Sequence, residues 1–173
     1  MEIRAGHLDH PQVVALLEQH FAGMLASSPP GSCHFLDFSG LAAPDVTFWT
    51  VWDGETLLGM GALKELDPAH GEIKSMRTTP AALRRGTAAF LLQHIVETAD
   101  RRGYRRLSLE TGSGDSFLPA HALYRRFGFS DLVGGGGGLI GRGVASAPPR
   151  AGSFRSRTPI FSRRFTAWRW RSL

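Results

Sequence analysis

The sequence predicts an α/β protein of the α+β type, with a mixed, mostly antiparallel sheet flanked by helices. Two observations support this fold class. The middle of the chain consists of β-branched and aromatic runs separated by tight-turn signals, and the residues after Gly86 change to a helical period. A length of 173 residues suits one compact domain, so we expect one functional site.

The N-terminal part predicts a short extended segment at residues 2–4, followed by an amphipathic helix. Five apolar side chains fall on one face of this helix: Val13, Leu16, Leu17, Phe21 and Met24. A Ser-Pro-Gly run at residues 27–31 ends it, and the stretch from there to Pro44 is expected to be a loop or a short helix.

The next part predicts three antiparallel strands. Residues 46–52 and 56–66 are expected to form a hairpin, because the Asp-Gly pair between them is a strong tight-turn signal. A second turn at residues 67–71 leads into the third strand, residues 72–78.

A long helix is predicted to begin near Gly86 and to end at Gly103, with two arginines in its last turn. Its apolar positions follow a helical period: Ala88, Leu91, Leu92, Ile95, Val96 and Ala99. A strand at residues 105–111 and a short helix at residues 119–127 are predicted after it.

The composition excludes several classes of protein. No run of eighteen apolar residues occurs, and the N-terminus lacks the apolar core of a signal peptide, so we expect a cytoplasmic protein with no membrane partner. The single cysteine, Cys33, excludes an internal disulfide and, without ligand spacing around it, predicts no metal site. We interpret it as a small, partly buried apolar residue.

The net charge of +5 is confined to the C-terminus. Residues 1–131 carry 12 basic and 15 acidic side chains, a net charge of −3, whereas residues 132–173 carry 8 arginines and no acid. We therefore divide the chain into a domain over residues 1–131 and a Gly/Arg-rich tail over residues 132–173, which we expect to be disordered. The abrupt change is typical of a GC-rich gene read in a shifted frame, and a genuine basic arm is the alternative.

The start of the long helix predicts an anion site. The first turn of a helix has unpaired backbone N–H groups and the positive end of the helix dipole. Gly86 allows the backbone to approach an anion closely, and Arg84 and Arg85 add positive charge. A pyrophosphate fits these features better than a carboxylate, although the same pattern also occurs as a plain helix cap.

Two motifs in this order resemble the GNAT superfamily of acyl-CoA-dependent N-acyltransferases. Residues 83–88 (LRRGTA) resemble its phosphate loop, Q/R-x-x-G-x-G/A, apart from the leucine at the first position. Residues 120–129 (AHALYRRFGF) resemble its A-x-x-L-Y-x-x-x-G-F helix and strand. Residues 72–77 and 107–113 are similar to a bacterial subgroup, so the resemblance covers roughly residues 1–131.

The resemblance implies a GNAT-like fold and acetyl-CoA as co-substrate. It implies that backbone groups of three strand residues meet the acyl-pantetheine arm: Met76, Arg77 and Thr78. It places the pyrophosphate on six consecutive residues: Arg84, Arg85, Gly86, Thr87, Ala88 and Ala89. Tyr124 would protonate the departing thiolate, because a tyrosine pKa of about 10 suits an alkyl thiolate of similar basicity. A core tyrosine with a satisfied hydroxyl is the alternative.

Acetyl transfer to an amine also needs a base that takes the ammonium proton. Glu72 opens the strand expected to approach the acyl group, and Glu110 ends the neighbouring strand, so either carboxylate is a candidate. Solvation at the surface, or an ion pair with Lys74 or Arg106, is the structural alternative. Among the histidines, His121 on the last predicted helix is the one closest to these motifs.

Together these residues predict an N-acetyltransferase that transfers an acetyl group from acetyl-CoA to a primary amine of a small molecule or peptide. The sequence is compatible with a homodimer. An acetyl-CoA-binding protein with little turnover is the alternative, because the tail replaces the strands that would complete the acceptor side. Nucleic-acid binding through the basic tail is a more distant alternative.

Overall fold

The computed structural model of the protein describes residues 1–27, 37–112, 115–131 and 140–146, and for residues 25–27, 131 and 140–146 it describes the backbone only. Cys33, interpreted above as a small apolar residue, lies outside the described residues. In the described part of the chain, no helix is both long and apolar enough to cross a lipid bilayer.

The described residues form seven strands and four α-helices. The strands are β1 (Glu2–Ala5), β2 (Val46–Asp53), β3 (Thr56–Asp67), β4 (His70–Thr78), β5 (Arg106–Gly112), β6 (Ser130–Asp131) and β7 (Ile140–Ser146). The helices are α1 (Pro11–Ser27), α2 (Phe38–Leu41), α3 (Thr87–Arg101) and α4 (Leu118–Arg126), with short 3-10 turns at Pro80–Ala82 and Asp115–Phe117.

One sheet joins all these strands in the order β1-β2-β3-β4-β5-β7-β6. Every neighbouring pair is antiparallel except β4 and β5, which are parallel. The prediction of a mixed, mostly antiparallel sheet flanked by helices is therefore confirmed.

The two faces of the sheet bury different helices. On one face, Leu16 and Leu17 of α1 pack with Trp52 and Met60 of the sheet. On the other face, α3 packs its apolar stripe against the sheet core, with Leu91, Leu92, Ile95 and Ala99 all buried. We call these the α1 face and the α3 face. Because side chains alternate along a strand, sequence parity decides which face each strand residue joins.

The predicted glycine end of α3 is confirmed. Gly103 has a φ of 80°, a conformation that glycine adopts without steric cost. Its N–H donates to the Asp100 carbonyl at 2.9 Å, and the N–H of Tyr104 donates to the Ala99 carbonyl at 3.0 Å. These two bonds form a Schellman motif, which satisfies carbonyls that the helix itself leaves unpaired.

A strand within the tail was not predicted from the sequence. β7 lies inside residues 132–173 and pairs with β5 over seven residues, from Arg106 to Gly112. Its sequence, IGRGVAS, has little strand propensity, so the pairing partner rather than the local pattern determines this strand. The rest of the predicted disordered tail lies outside the described residues, and the division of the chain at residue 131 stays a prediction.

Candidate active site

The parallel strands β4 and β5 separate partway along their length. Four register pairs join them, and the last of these is Ile73 with Leu109. Both strands continue without pairing to each other, β4 to Thr78 and β5 to Gly112. We call the opening between residues 74–78 and 110–112 the β4–β5 cleft. Its β4 edge offers backbone N–H and C=O groups that an extended ligand could pair with, as an added strand does.

A β-bulge at Ser75 bends β4 inside this cleft. Against β3, Met60 pairs with Arg77 but Ala62 pairs with Lys74, so β4 has one extra residue here. Ser75 has a φ of 53°, which is uncommon for a residue with a side chain. Such bulges re-aim a strand and are frequent next to functional sites.

The bulge directs the next two side chains to opposite faces. Met76 packs against the core on the α3 face, where a Cβ at Gly61 would come within 2.6 Å of its sulfur. Arg77 pairs with Met60 of the α1-face core, so its side chain lies on the α1 face, and it is exposed. The predicted pantetheine residues 76–78 therefore follow the bulge along the open edge of β4.

The start of α3 presents backbone N–H groups toward solvent. The first helical bond runs from the Phe90 N–H to the Gly86 carbonyl at 2.9 Å. Within the described residues, no backbone carbonyl accepts from the N–H groups of residues 86–89. Gly86 has a φ of 82°, which lets the chain turn directly into the helix. Such a helix start can bind an anion, and we call residues 84–89 the phosphate cradle.

The side chains of the cradle differ in their surroundings. Arg84 is exposed, whereas Arg85 donates from Nη2 to Oδ2 of Asp53 at 3.1 Å, with both side chains about half exposed. Thr87 is buried, and a Cβ at Gly59 would lie 3.2 Å from its methyl group. The cradle is thus packed directly against β3, beside the strand that borders the cleft.

The helix α4 is attached to the far end of β5. The ring of His121 bonds through Nε2 to the Gly112 carbonyl oxygen at 2.8 Å. Phe117 packs so closely on Gly112 that its ring would have to move to make room for a side chain there. His121 therefore has a positioning contact with the strand that borders the cleft.

Tyr124 of α4 packs against the same core as Met76. Its ring meets Phe129 edge-on, with the ring centres 5.9 Å apart. Burial alone raises the pKa of Tyr124 to about 12, above the ordinary value assumed from the sequence. The hydroxyl therefore remains protonated at neutral pH and retains the proton that a general acid needs.

The two candidate carboxylates lie on the α1 face. Glu72 pairs with Ser108, and Glu110 follows Ser108 by two residues, so all three share that face. Glu72 forms an ion pair with Lys74 at 3.0 Å, in which the two side chains are only 11% and 13% exposed. The ion pair named above as the alternative for Glu72 is thus present. Glu110 is half-buried and stands one residue beyond the last β4–β5 pair.

No sequence motif points to His20, yet it lies near Arg77. It belongs to the buried face of α1, four residues after Leu16, and is 9% exposed. Burial, and secondarily the charge of Arg77, lower the pKa of His20 to about 4. Its helical spacing from Leu16 is the signal in the sequence that marks it as buried.

No three His, Cys, Asp or Glu side chains among the described residues come together in a group that could hold a metal ion. The described residues provide an open strand edge, a helix start whose N–H groups no backbone carbonyl accepts from, a partly buried tyrosine on the α3-face core and two carboxylates on the α1 face.

Known proteins resemble the chain over most of its length. Residues 16–129 match the model of the acetyltransferase (GNAT) family. The chain is 54% identical over 129 residues to the uncharacterized N-acetyltransferase YsnE of Bacillus subtilis, covering 75% of this chain and 85% of that protein. It is also 54% identical over 129 residues to the uncharacterized N-acetyltransferase YedL of Escherichia coli, covering 75% and 81%.

Solved structures have the same fold. A Bacillus subtilis acetyltransferase in complex with CoA is 18% identical, with a TM-score of 0.61 over 85% of this chain and 99% of that chain. A GNAT family acetyltransferase from Elizabethkingia anophelis with acetyl-CoA bound is 15% identical, with a TM-score of 0.58 over 84% and 97%. With the family match and the two relatives, it follows that the chain belongs to the GNAT family and is an acyl-CoA-dependent N-acetyltransferase.

Proposed function

We propose that this enzyme acetylates a primary amine of a small molecule or peptide at the β4–β5 cleft. The main support for the proposal is that two features, an open strand edge and a phosphate cradle, follow each other along one short stretch of chain. The open edge of β4 ends at Thr78, and the cradle begins six residues later at Arg84. A ligand with an amide-rich arm and a diphosphate, as acetyl-CoA has, matches this order.

Two groups of residues fit two parts of acetyl-CoA, its diphosphate and its pantetheine arm. The N–H groups of residues 86–89 would hold the diphosphate. Arg84 would add positive charge, since none of the described ion pairs includes it. The backbone of residues 76–78 would hold the amides of the pantetheine arm. Acetyl-CoA supplies an activated acetyl group at the cleft.

Of the two carboxylates, we infer that Glu110 is the base. Glu110 stands one residue beyond the last β4–β5 pair and borders the cleft itself, whereas Glu72 lies one pair before the strands separate. A base must take a proton from the acceptor ammonium, so that the nitrogen lone pair can attack the acetyl carbonyl. The position of Glu110 suits this role better than that of Glu72.

Tyr124 would act as the acid. When the bond between the acetyl carbon and sulfur breaks, the sulfur needs a proton, and the Tyr124 hydroxyl still carries one. Its high pKa makes it a weak acid in the free enzyme, so the developing negative charge on sulfur must draw the proton from it in the transition state.

An amine screen tests the proposed function. Purified full-length protein is mixed with acetyl-CoA and a panel of amines: amino acids, amino-acid amides, polyamines, aminoglycosides and short peptides. Thiol release measures turnover, and mass spectrometry identifies the acetylated product. We expect amine-dependent thiol release with at least one class. Thiol release that never exceeds the amine-free rate, with any class, would contradict the proposal.

A further inference from the structure

On the α1 face, the cleft is bordered by an exposed arginine that has no acidic partner among the described ion pairs. The Arg77 side chain lies on the α1 face, the same face as Glu72 and Glu110. None of the ion pairs among the described residues includes it. Its electrostatic neighbour there is His20. Lys74 on the same strand, by contrast, forms an ion pair with Glu72.

His20 contributes no charge to this position. Because burial and the Arg77 guanidinium lower the pKa of His20 to about 4, the ring is neutral at physiological pH. The guanidinium of Arg77 therefore provides the positive charge at this end of the site.

A carboxylate stands at the other end of the same opening. Since Ile73 pairs with Leu109, Glu110 lies at the level of Lys74. Because of the bulge, Lys74 pairs with Ala62 and Arg77 with Met60, so Arg77 lies only two residues of β3 farther along the sheet, about 7 Å at 3.3 Å per residue. An arginine side chain covers much of that distance. The positive and the negative group thus border the same opening.

We propose that the acceptor amine also carries a carboxylate, as amino acids do, and that Arg77 binds this carboxylate while Glu110 receives the ammonium. This inference rests on the proposed function. The planar guanidinium forms two parallel hydrogen bonds with a carboxylate, a geometry that lysine cannot reproduce. Arg77 would thus select the acceptor through its side chain, while its backbone remains on the edge of the cleft.

Paired substrates test the proposal. For each amino acid acetylated in the screen, kcat/KM is compared with that of the matching amino-acid amide, which keeps the amine but loses the carboxylate. We expect the parent enzyme to prefer the acid by about 30-fold, the size of one charge-assisted contact. In Arg77→Gln this preference should fall to near unity, mainly through a higher KM for the acid. Arg77→Lys should retain part of it.

Lys64→Gln is the matched control. It removes one positive charge from the same sheet face, where Lys64 pairs with Asp45 at 3.6 Å, outside the cleft. This variant should keep the preference for the acid. Acetyl-CoA affinity, measured by calorimetry, should change less than about threefold in Arg77→Gln, because the backbone contacts persist.

Three results would overturn the inference. In the first, the parent enzyme uses the amide as well as the acid, or it acetylates only amines without a carboxylate, such as polyamines. The proposed function would then stand, but the inference about the acceptor carboxylate would be wrong. Arg77→Gln could keep the preference for the acid and instead lose acetyl-CoA affinity tenfold or more, which would assign Arg77 to the co-substrate. Absence of turnover with every class of amine would remove the proposed function and this inference together.

Discussion

Ile73 of β4 and Leu109 of β5 form the last backbone pair before these parallel strands separate. The bulge at Ser75 begins two residues later, so the separation and the bend of β4 coincide. β5 keeps its antiparallel partner β7 along its whole length. The cleft is therefore bordered by two strands of a continuous sheet, which positions a site more rigidly than loops do.

Replacing Tyr124 with Phe tests the acid. Tyr124→Phe should lower kcat by about 10²-fold, a typical contribution of a general acid, because only the proton donor is removed. Affinity for acetyl-CoA should stay unchanged, since the ring still packs on Phe129. Steady-state kinetics and calorimetry check the two expectations. Unaltered kcat would identify Tyr124 as a packing residue.

Separate replacement of the two carboxylates tests the base. Glu110→Gln should lower kcat by about 10²-fold with little change in stability. Glu72→Gln should lower the free energy of unfolding by about 2 kcal/mol, because it removes the charged partner that the mostly buried Lys74 ammonium has at 3.0 Å. Kinetics and chemical denaturation of both variants measure these effects. If the catalytic loss followed Glu72 and the stability loss followed Glu110, the two roles would be exchanged.

The low pKa of His20 predicts how the stability of the protein depends on pH. Its pKa is about 4 in the folded protein and about 6.5 when unfolded, so the unfolded chain binds more protons between these values. Its contribution to stability is therefore complete above pH 6.5 and is lost as the pH falls toward 4. Between pH 7 and pH 5 this single group should cost about 2 kcal/mol.

Chemical denaturation at several pH values measures this effect in the parent and in His20→Gln. The variant should have a flatter dependence of unfolding free energy between pH 7 and pH 5, whatever its absolute stability. Parallel curves for the two proteins would mean that His20 has an ordinary pKa when folded.

Local sequence signals predicted the elements around the cradle well. α3 was recognised because its apolar period and its flanking glycines are properties of the segment itself, and Gly86 and Gly103 do have positive φ values. The hairpin of β2 and β3 was recognised for the same reason, since an Asp-Gly pair fixes a tight turn on its own.

Features that depend on distant partners were not predicted. β7 exists because β5 offers it a pairing edge, and its own glycine-rich sequence gives no strand pattern. The Ser75 bulge is set by the register of β4 against β3, which a single strand does not reveal. The closeness of His20 and Arg77 likewise depends on how α1 lies on the sheet. The site residues named from motifs remain predictions until variants are measured.

The central claim is that acetyl-CoA binds with its diphosphate on the backbone of the cradle. Calorimetric titration of acetyl-CoA into three proteins tests it most directly: the parent, Gly86→Glu and Gly103→Glu. Both glycines have positive φ, 82° and 80°, so both variants carry similar backbone strain. Gly103 lies at the opposite end of α3, where a side-chain Cβ would meet no other atom within 4 Å.

We expect micromolar-range binding by the parent and by Gly103→Glu, and loss of binding by Gly86→Glu, whose carboxylate would occupy and repel the diphosphate position. Undiminished binding by Gly86→Glu, with Gly103→Glu behaving in the same way, would contradict the assignment of the cradle.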